Sequence, residues 1–594
     1  MSFITPVSCE SYQALNSSAD GPSPARGFNF WMTFLSGLLV EVLSALDLSA
    51  VSTTLPTIVS DLHGNDFIWA GSAYTIAATA VIPFIGHFAS TFGRKPVLLA
   101  MILIFALGSA LCGAAQSMPM FLAGRGEHLV FTLHTGLKPA HAAIQGFGGG
   151  GSMSAVQIIN ADMIPLPERG KFQGIAAVMW AVACSAGPII GGGLARGGNW
   201  RWLFYINLPL CGISFTLSTA FLRVRNPTTT LAEKIKEMDL IGLTLVVGST
   251  VSFLIGMTWG GVQFSWSSAQ VLAPLTIGAV GIVLFFVIEA LWIPRPTAPS
   301  FLYTSRTTLS GYLGTFFHGI VVIALIYYTP IYLQATQGAS ALTSGIDMLP
   351  IVALIPIAAM FTAVTVQVTK RYLPLNIIGW VLALVGFGVL SILTETSPRA
   401  AYVGLQTPAA IATGILWICT TFPVLAPLPY SNSAHALAFF SFTRQFAQSW
   451  GITIAGTILQ NGLQRALPPA YVASLPEGAS LAYAAIPTVA ALDEPLRTEV
   501  RVAFARATQT VWRVMVAVAG AGLLSVVLMR EVPMKKSLDE RWGLRERDEG
   551  GRGGGEGGEK RVSYFDLATS PGAESPVGGS GVIQVKEDRV ASLV

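Results

Sequence analysis

The chain has 594 residues, 52% of them hydrophobic and 11% charged, with a mean hydropathy of +0.60. A soluble globular protein carries about a quarter charged residues. Apolar runs such as residues 96–115 give a helix no wet face, so a large soluble fold is excluded. The net charge of +4 marks no nucleic-acid surface. Cys9, Cys112, Cys184, Cys211 and Cys419 are scattered, without CxxC or His/Cys metal spacing, and read as packing residues. The composition is that of an all-α polytopic membrane protein.

Residues 1–27 are polar and are expected to be a disordered cytoplasmic tail, not a cleaved signal. A first block, 28–222, holds six expected spans. They are 30–55, 67–89, 96–115, a fourth interrupted within 118–165, then 172–195 and 202–222. A polar connector, 223–239, leads to two further spans, 240–259 and 271–292, within 240–292. A second block, 308–530, holds 309–333, 344–366, 373–393, 403–427, 437–459 and 511–529, with an outer loop at 460–510. Residues 531–594 read as a second disordered cytoplasmic tail. Each span has roughly the 20 residues that cross a bilayer, and the total is fourteen. The inner segments carry Arg94, Lys95, Arg169, Lys171, Arg223, Arg225, Lys370, Arg371 and Arg530. The short outer turns carry only Arg196, Arg201 and Arg399. That bias places both termini in the cytoplasm.

Ionisable and amide groups inside apolar helices are costly and mark function. Asp47 and Glu41 lie in the first span, six residues apart and so not on one helix face. Asp47 either handles protons or is satisfied by a nearby Ser or Thr. Glu41, His318, Arg444 and Gln448 are candidates for a substrate cavity, with helix packing as the alternative. No phosphate-binding loop, nucleophile elbow or metal-ligand pair occurs, so neither ATP drive nor enzyme chemistry is expected.

Three motifs carry a family resemblance. Residues 86–95, Gly86 to Lys95 with Ser90, Gly93 and Arg94, resemble the inner-loop signature GxLaDrxGRkxxl of the major facilitator superfamily. They depart from it at Ser90, where the family carries Asp. Arg94 is therefore expected to pair with Asp162 or Glu168 on the neighbouring inner loop, beside Arg169. Leu46 to Pro56 resembles the first-helix motif of fourteen-span drug:proton antiporters. Gly187-Pro188-Ile189-Ile190-Gly191-Gly192 resembles their antiporter motif, with Ala183 in place of its first Gly.

The resemblance implies two six-helix bundles plus two extra central helices, a hinge at Gly187–Gly192 and a proton gradient as driving force. It implies no cofactor. The partners implied are a small-molecule substrate and the lipid bilayer, with no nucleic acid, and the chain is expected to be monomeric. The implied function is export of drugs, toxins or secondary metabolites, in the plasma membrane rather than the vacuolar one. Import of siderophores, vacuolar amino acid transport, or a non-transporting receptor or scaffold of the same fold are the alternatives.

The fourth span is interrupted. Gly124-Arg125 and Ala143-Ile144-Gln145-Gly146-Phe147-Gly148 are separated by residues 126–142, GEHLVFTLHTGLKPAHA, whose charges and Pro do not suit a lipid-facing helix. Omitting 126–142 restores RxxQGxG, the family's fourth-helix motif, whose Arg is implicated in proton movement. The segment keeps the reading frame. Its first codons can hold a typical intron opening, and its last codon with the next a closing CAG. It is therefore read as a translated intron, with a genuine outer loop as the alternative.

Overall fold

The computed structural model describes residues 26–62, 67–125, 144–223, 239–261, 264–293, 299, 301–428, 432–475, 481–489 and 491–534. These fall in one compact unit, Met1–Arg545. Both expected tails beyond these limits, most of the connector, and segment 126–142 lie outside the described residues.

The first bundle begins with α1 (Phe28–Asp61), α2 (Phe67–Thr91) and α3 (Arg94–Gly113). The fourth span is two helices, α4 (Met118–Arg125) and α5 (Ile144–Met163). Then come α6 (Leu166–Arg196), α7 (Trp202–Tyr205) and α8 (Asn207–Phe221). The two central helices are α9 (Leu240–Trp259) and α10 (Ala269–Leu291). Asp239 caps α9 by accepting from the Gly242 amide at 2.7 Å.

The second bundle follows a short turn, α11 (Phe301–Thr304). It contains α12 (Arg306–Ile331), α13 (Ala341–Asp347), α14 (Leu349–Thr369) and α15 (Leu373–Leu390). Its next span is broken into α16 (Arg399–Gly404), α17 (Thr407–Cys419) and α18 (Thr421–Leu425). It ends with α19 (Ser433–Ala466), the short α20 (Pro469–Ala473) and α21 (Leu481–Val489), and α22 (Leu496–Ser525).

Among the described residues, ten helical stretches are long and apolar enough to cross a membrane. The other four expected spans are α2, α4 with α5, α6 and α19. Three of these carry polar groups that line the central cavity: Gln157 and Asn160 on α5, Gln173 on α6, and Arg444, Gln445 and Gln448 on α19. Hydropathy falls where a helix faces protein or water instead of lipid. The lipid face is explicit on α14, where Ile357, Phe361, Val364 and Val368 are exposed at helical spacing. Such a stripe is at home only in a bilayer.

Two boundaries differ from the sequence reading. The turn expected at 165–171 is already the start of α6. The outer loop expected at 460–510 is narrower, because α19 continues to Ala466 and α22 begins at Leu496. The hydropathy of α22 drops at Arg497, Arg501 and Arg506, yet Val500, Ala503, Phe504, Ala507 and Val511 keep a buried helical stripe there.

The bundles meet chiefly where α6 packs on α14 and α2 on α19, with α5 also touching α19. Within the first bundle, the glycine run of α5 wedges between α2 and α3. A side chain at Gly150 would strike the Ala78 backbone, and one at Gly148 the Phe105 backbone. Close backbone approach of this kind holds membrane helices together.

Candidate functional site

The deepest charges sit in the first bundle. Asp47 on α1 and Arg125, the last residue of α4, form an ion pair at 3.3 Å with both side chains fully buried. Gln145, at the start of α5, donates from Nε2 to Asp47 Oδ1 at 2.9 Å and to Ser109 Oγ at 3.0 Å. Its Oε1 accepts from Arg125 at 3.5 Å. Asn207 on α8 donates to the same Asp47 oxygen at 3.4 Å. The Arg125 guanidinium also lies over the Tyr74 ring, 5.4 Å from its centroid.

Thus the structure brings Asp47, Arg125 and Gln145 together even though residues 126–144 separate the last two in sequence. Both flanking helices pack on α3. Gly108 lies against the Gln145 backbone, and Gly124 against Cys112 and the Gly108 carbonyl. Asn207 and Ser109 escaped the sequence reading. The available signal was a lone amide and a lone hydroxyl in apolar spans, and Asn207 sits in the aromatic stretch 200–209.

The second constellation is at the turn between α2 and α3. Gly93 has φ 98°, a turn that a side chain would strain. It sets Arg94 at the first residue of α3, where Nε donates to Asp162 Oδ2 at 2.9 Å, both side chains nearly buried. Arg94 also reaches the Ala89 carbonyl. Ser90 donates to the His87 carbonyl at 2.8 Å. Arg94 therefore takes its carboxylate from α5, and Ser90 caps its own helix. Arg169 donates to the Ala161 and Ile164 carbonyls at 2.7 and 2.8 Å, closing the C-terminus of the same α5. Lys95 donates to Thr219 O at 2.6 Å. Glu168, the other expected partner of Arg94, pairs with Arg26 instead.

Gly187 presses on Ser49 and Ala50, just past Asp47 on α1. Pro188, Gly191 and Gly192 lie in α6, which runs through them without a break. Gly86 lines a small apolar pocket between α2, α10 and α19.

Between the bundles lies a cavity of about 150 Å³. At roughly 10–15 Å³ per water site it has room for on the order of ten waters. Glu41, Ser44 and Tyr74 line it from the first bundle, and Trp417, Arg444 and Gln448 from the second. Ser441 on α19 donates to Gln157 Oε1 on α5 at 2.6 Å, tying the bundles beside it. Of the four cavity candidates, Glu41, Arg444 and Gln448 line this space. His318 is not among its lining residues: it is fully buried, with Nε2 3.0 Å from the Thr413 carbonyl and its ring edge on Trp417. Among the described residues no cluster of three His, Cys, Asp or Glu side chains fit to hold a metal occurs.

Two helical bundles around a cavity with polar groups in its wall, with charges buried in one bundle and at the turn between α2 and α3, define a multi-pass membrane transporter. The Major Facilitator Superfamily pattern matches residues 37–452. The chain belongs to that family. It is 36% identical over 532 residues to the MFS-type transporter ucsD of Acremonium sp, covering 88% of each chain. It is 32% identical over 540 residues to the efflux pump FUS6 of Gibberella fujikuroi, covering 89% of this chain and 94% of that protein. Its fold is similar to the crystal structure of the human organic anion transporter MFSD10, with a TM-score of 0.54 at 15% identity, over 85% of this chain and all of that one.

Proposed function

We propose that the chain is a proton-coupled exporter of small organic molecules of the secondary-metabolite class, working by alternating access of the two bundles to the central cavity. The observation that carries the reading is the Asp47–Arg125–Gln145 network and its link to that cavity. Tyr74 lines the cavity and stacks under Arg125, and its hydroxyl reaches Ser44, another lining residue, at 3.5 Å. Cargo in the cavity therefore touches a side chain that contacts the ion pair. A proton arriving on Asp47 weakens its hold on Arg125, and that is a local switch able to bias the two states of the transporter. Similarity to an efflux pump supports the outward direction.

The drive is the proton gradient, with no cofactor. The reading places a monomer in the plasma membrane with both termini in the cytoplasm. Arg94, Asp162 and Arg169 close the inner side around Gly86, Ser90, Gly93 and Lys95, and Gly187, Pro188, Gly191 and Gly192 form the hinge against α1.

Inside-out plasma-membrane vesicles bearing the chain test the reading. With an acid lumen they are expected to accumulate at least one of three aromatic probes: rhodamine 6G, naphthalene-2-sulfonate or naphthalene-2-sulfonamide. A protonophore is expected to abolish that accumulation. Vesicles that take up none of them, or take them up equally with the gradient collapsed, contradict it. Accumulation by right-side-out cells instead would favour the import alternatives.

Residues 126–142 are part of the proposal as a retained intron. The ends on either side, Arg125 and Gln145, make one hydrogen-bonded network, as adjacent turns of a single helix would. Sequencing the mature transcript is expected to show codon 125 joined to codon 143. A dominant message that keeps the intervening codons overturns this.

A further inference from the structure

We propose that Arg444 is the anchor for an acidic aromatic cargo, so that the cavity selects organic anions carrying a flat ring. The inference deepens the export reading and rests on it. Arg444 stands on the second-bundle wall, and its position is fixed. One terminal nitrogen donates to the Trp417 carbonyl at 2.9 Å, and the guanidinium lies 4.5 Å from the centroids of both the Trp417 and Phe440 rings. Its Nε is buried without an acceptor. Among the described residues no carboxylate lies within ion-pair distance of it.

A guanidinium keeps its charge, and a cargo that displaces the cavity water around it must replace that solvation with a counter-charge. Of the other charges on the cavity wall, Glu41 acts on it through space, without an ion pair. Arg169 is committed to the end of α5. Glu41, on the first-bundle wall, makes no hydrogen bond among the described residues. A carboxylate can become neutral by taking a proton, so the permanent demand in the cavity is for an anion. A planar guanidinium meets a carboxylate or sulfonate through two parallel N–H donors.

The ring has its own seat. Trp180 of the first bundle and Trp417 of the second touch at the cavity wall, centroids 6.0 Å apart and tilted by 38°. An aromatic body set against this pair, with its acid on Arg444, would touch both bundles at once.

The test uses the full-length chain in lipid nanodiscs and one ring with two headgroups. Naphthalene-2-sulfonate is expected to bind about tenfold more tightly than the neutral naphthalene-2-sulfonamide, as a charge-assisted hydrogen bond implies. Arg444→Gln is expected to remove that preference while leaving sulfonamide binding within about threefold. Arg444→Lys, which keeps the charge but not the fork, is expected to retain part of it. Glu41→Gln, which removes the opposing charge, is expected to tighten sulfonate binding. Equal binding of the two probes by the wild-type chain, or an equal loss of both in Arg444→Gln, overturns the inference. Neither result depends on proton-driven accumulation in vesicles, so the export reading is judged separately.

Discussion

Asp47→Asn is expected to abolish proton-driven transport and to weaken the fold. The substitution preserves shape but takes the Asp47 charge away from the fully buried Arg125. Breaking a buried pair by removing one partner costs about 3–5 kcal/mol, because the other charge is stranded. Loss of transport alone would then be ambiguous, since misfolding gives the same result. The double substitution Asp47→Asn with Arg125→Gln separates the two. It removes both charges while keeping amides that can bond to Gln145, Ser109 and Asn207. Its thermal stability in detergent is expected to recover most of the loss, and proton-driven accumulation is expected to stay absent. Asp47→Asn with full stability and full gradient dependence would contradict the coupling role.

Arg94→Ala is expected to open the inner side. Arg94 holds α3 to Asp162 on α5 and also reaches the end of α2 through Ala89. Removing it takes the Arg94 charge away from the buried Asp162 carboxylate, an effect of the same order, about 3–5 kcal/mol. Asp162→Asn is the informative companion, since it breaks the same pair and leaves Arg94 its bond to the Ala89 carbonyl. Both variants are expected to lower the melting temperature and to increase labelling of single cysteines placed on the inner wall of the cavity. Arg94→Ala with unchanged expression, stability and transport would remove the gate assignment.

The fold was legible because a bilayer imposes one rule on every lipid-facing residue. The exposed stripe of α14 obeys it, and so do most spans. Where a helix faces protein, the rule lapses, and the sequence reading blurred there. The start of α22 is the example: its charges hid a buried face that recurs every three or four residues.

Single site residues were also legible, as charges or amides in apolar runs. Their grouping was partly so, since a shared motif suggested Arg125 with Gln145, and a missing acid at Ser90 pointed Arg94 towards Asp162 or Glu168. His318 and Arg444 looked alike in sequence, each one polar group in an apolar helix. Only packing separates them: one bonds a carbonyl inside its bundle, the other lines the cavity. Asn207 was not singled out in sequence, although it donates to Asp47.

The central claim is that cargo and protons exchange through this one chain, with Asp47 carrying the proton. The most direct measurement is made in liposomes holding the purified full-length protein and a pH-sensitive dye, with no initial pH gradient. A gradient is imposed of whichever aromatic probe the vesicles accumulate. Cargo leaving the lumen is expected to acidify it, and Asp47→Asn with Arg125→Gln is expected to give no pH change. Cargo movement without a proton signal in the wild-type chain, or the same signal in the double variant, would contradict the account.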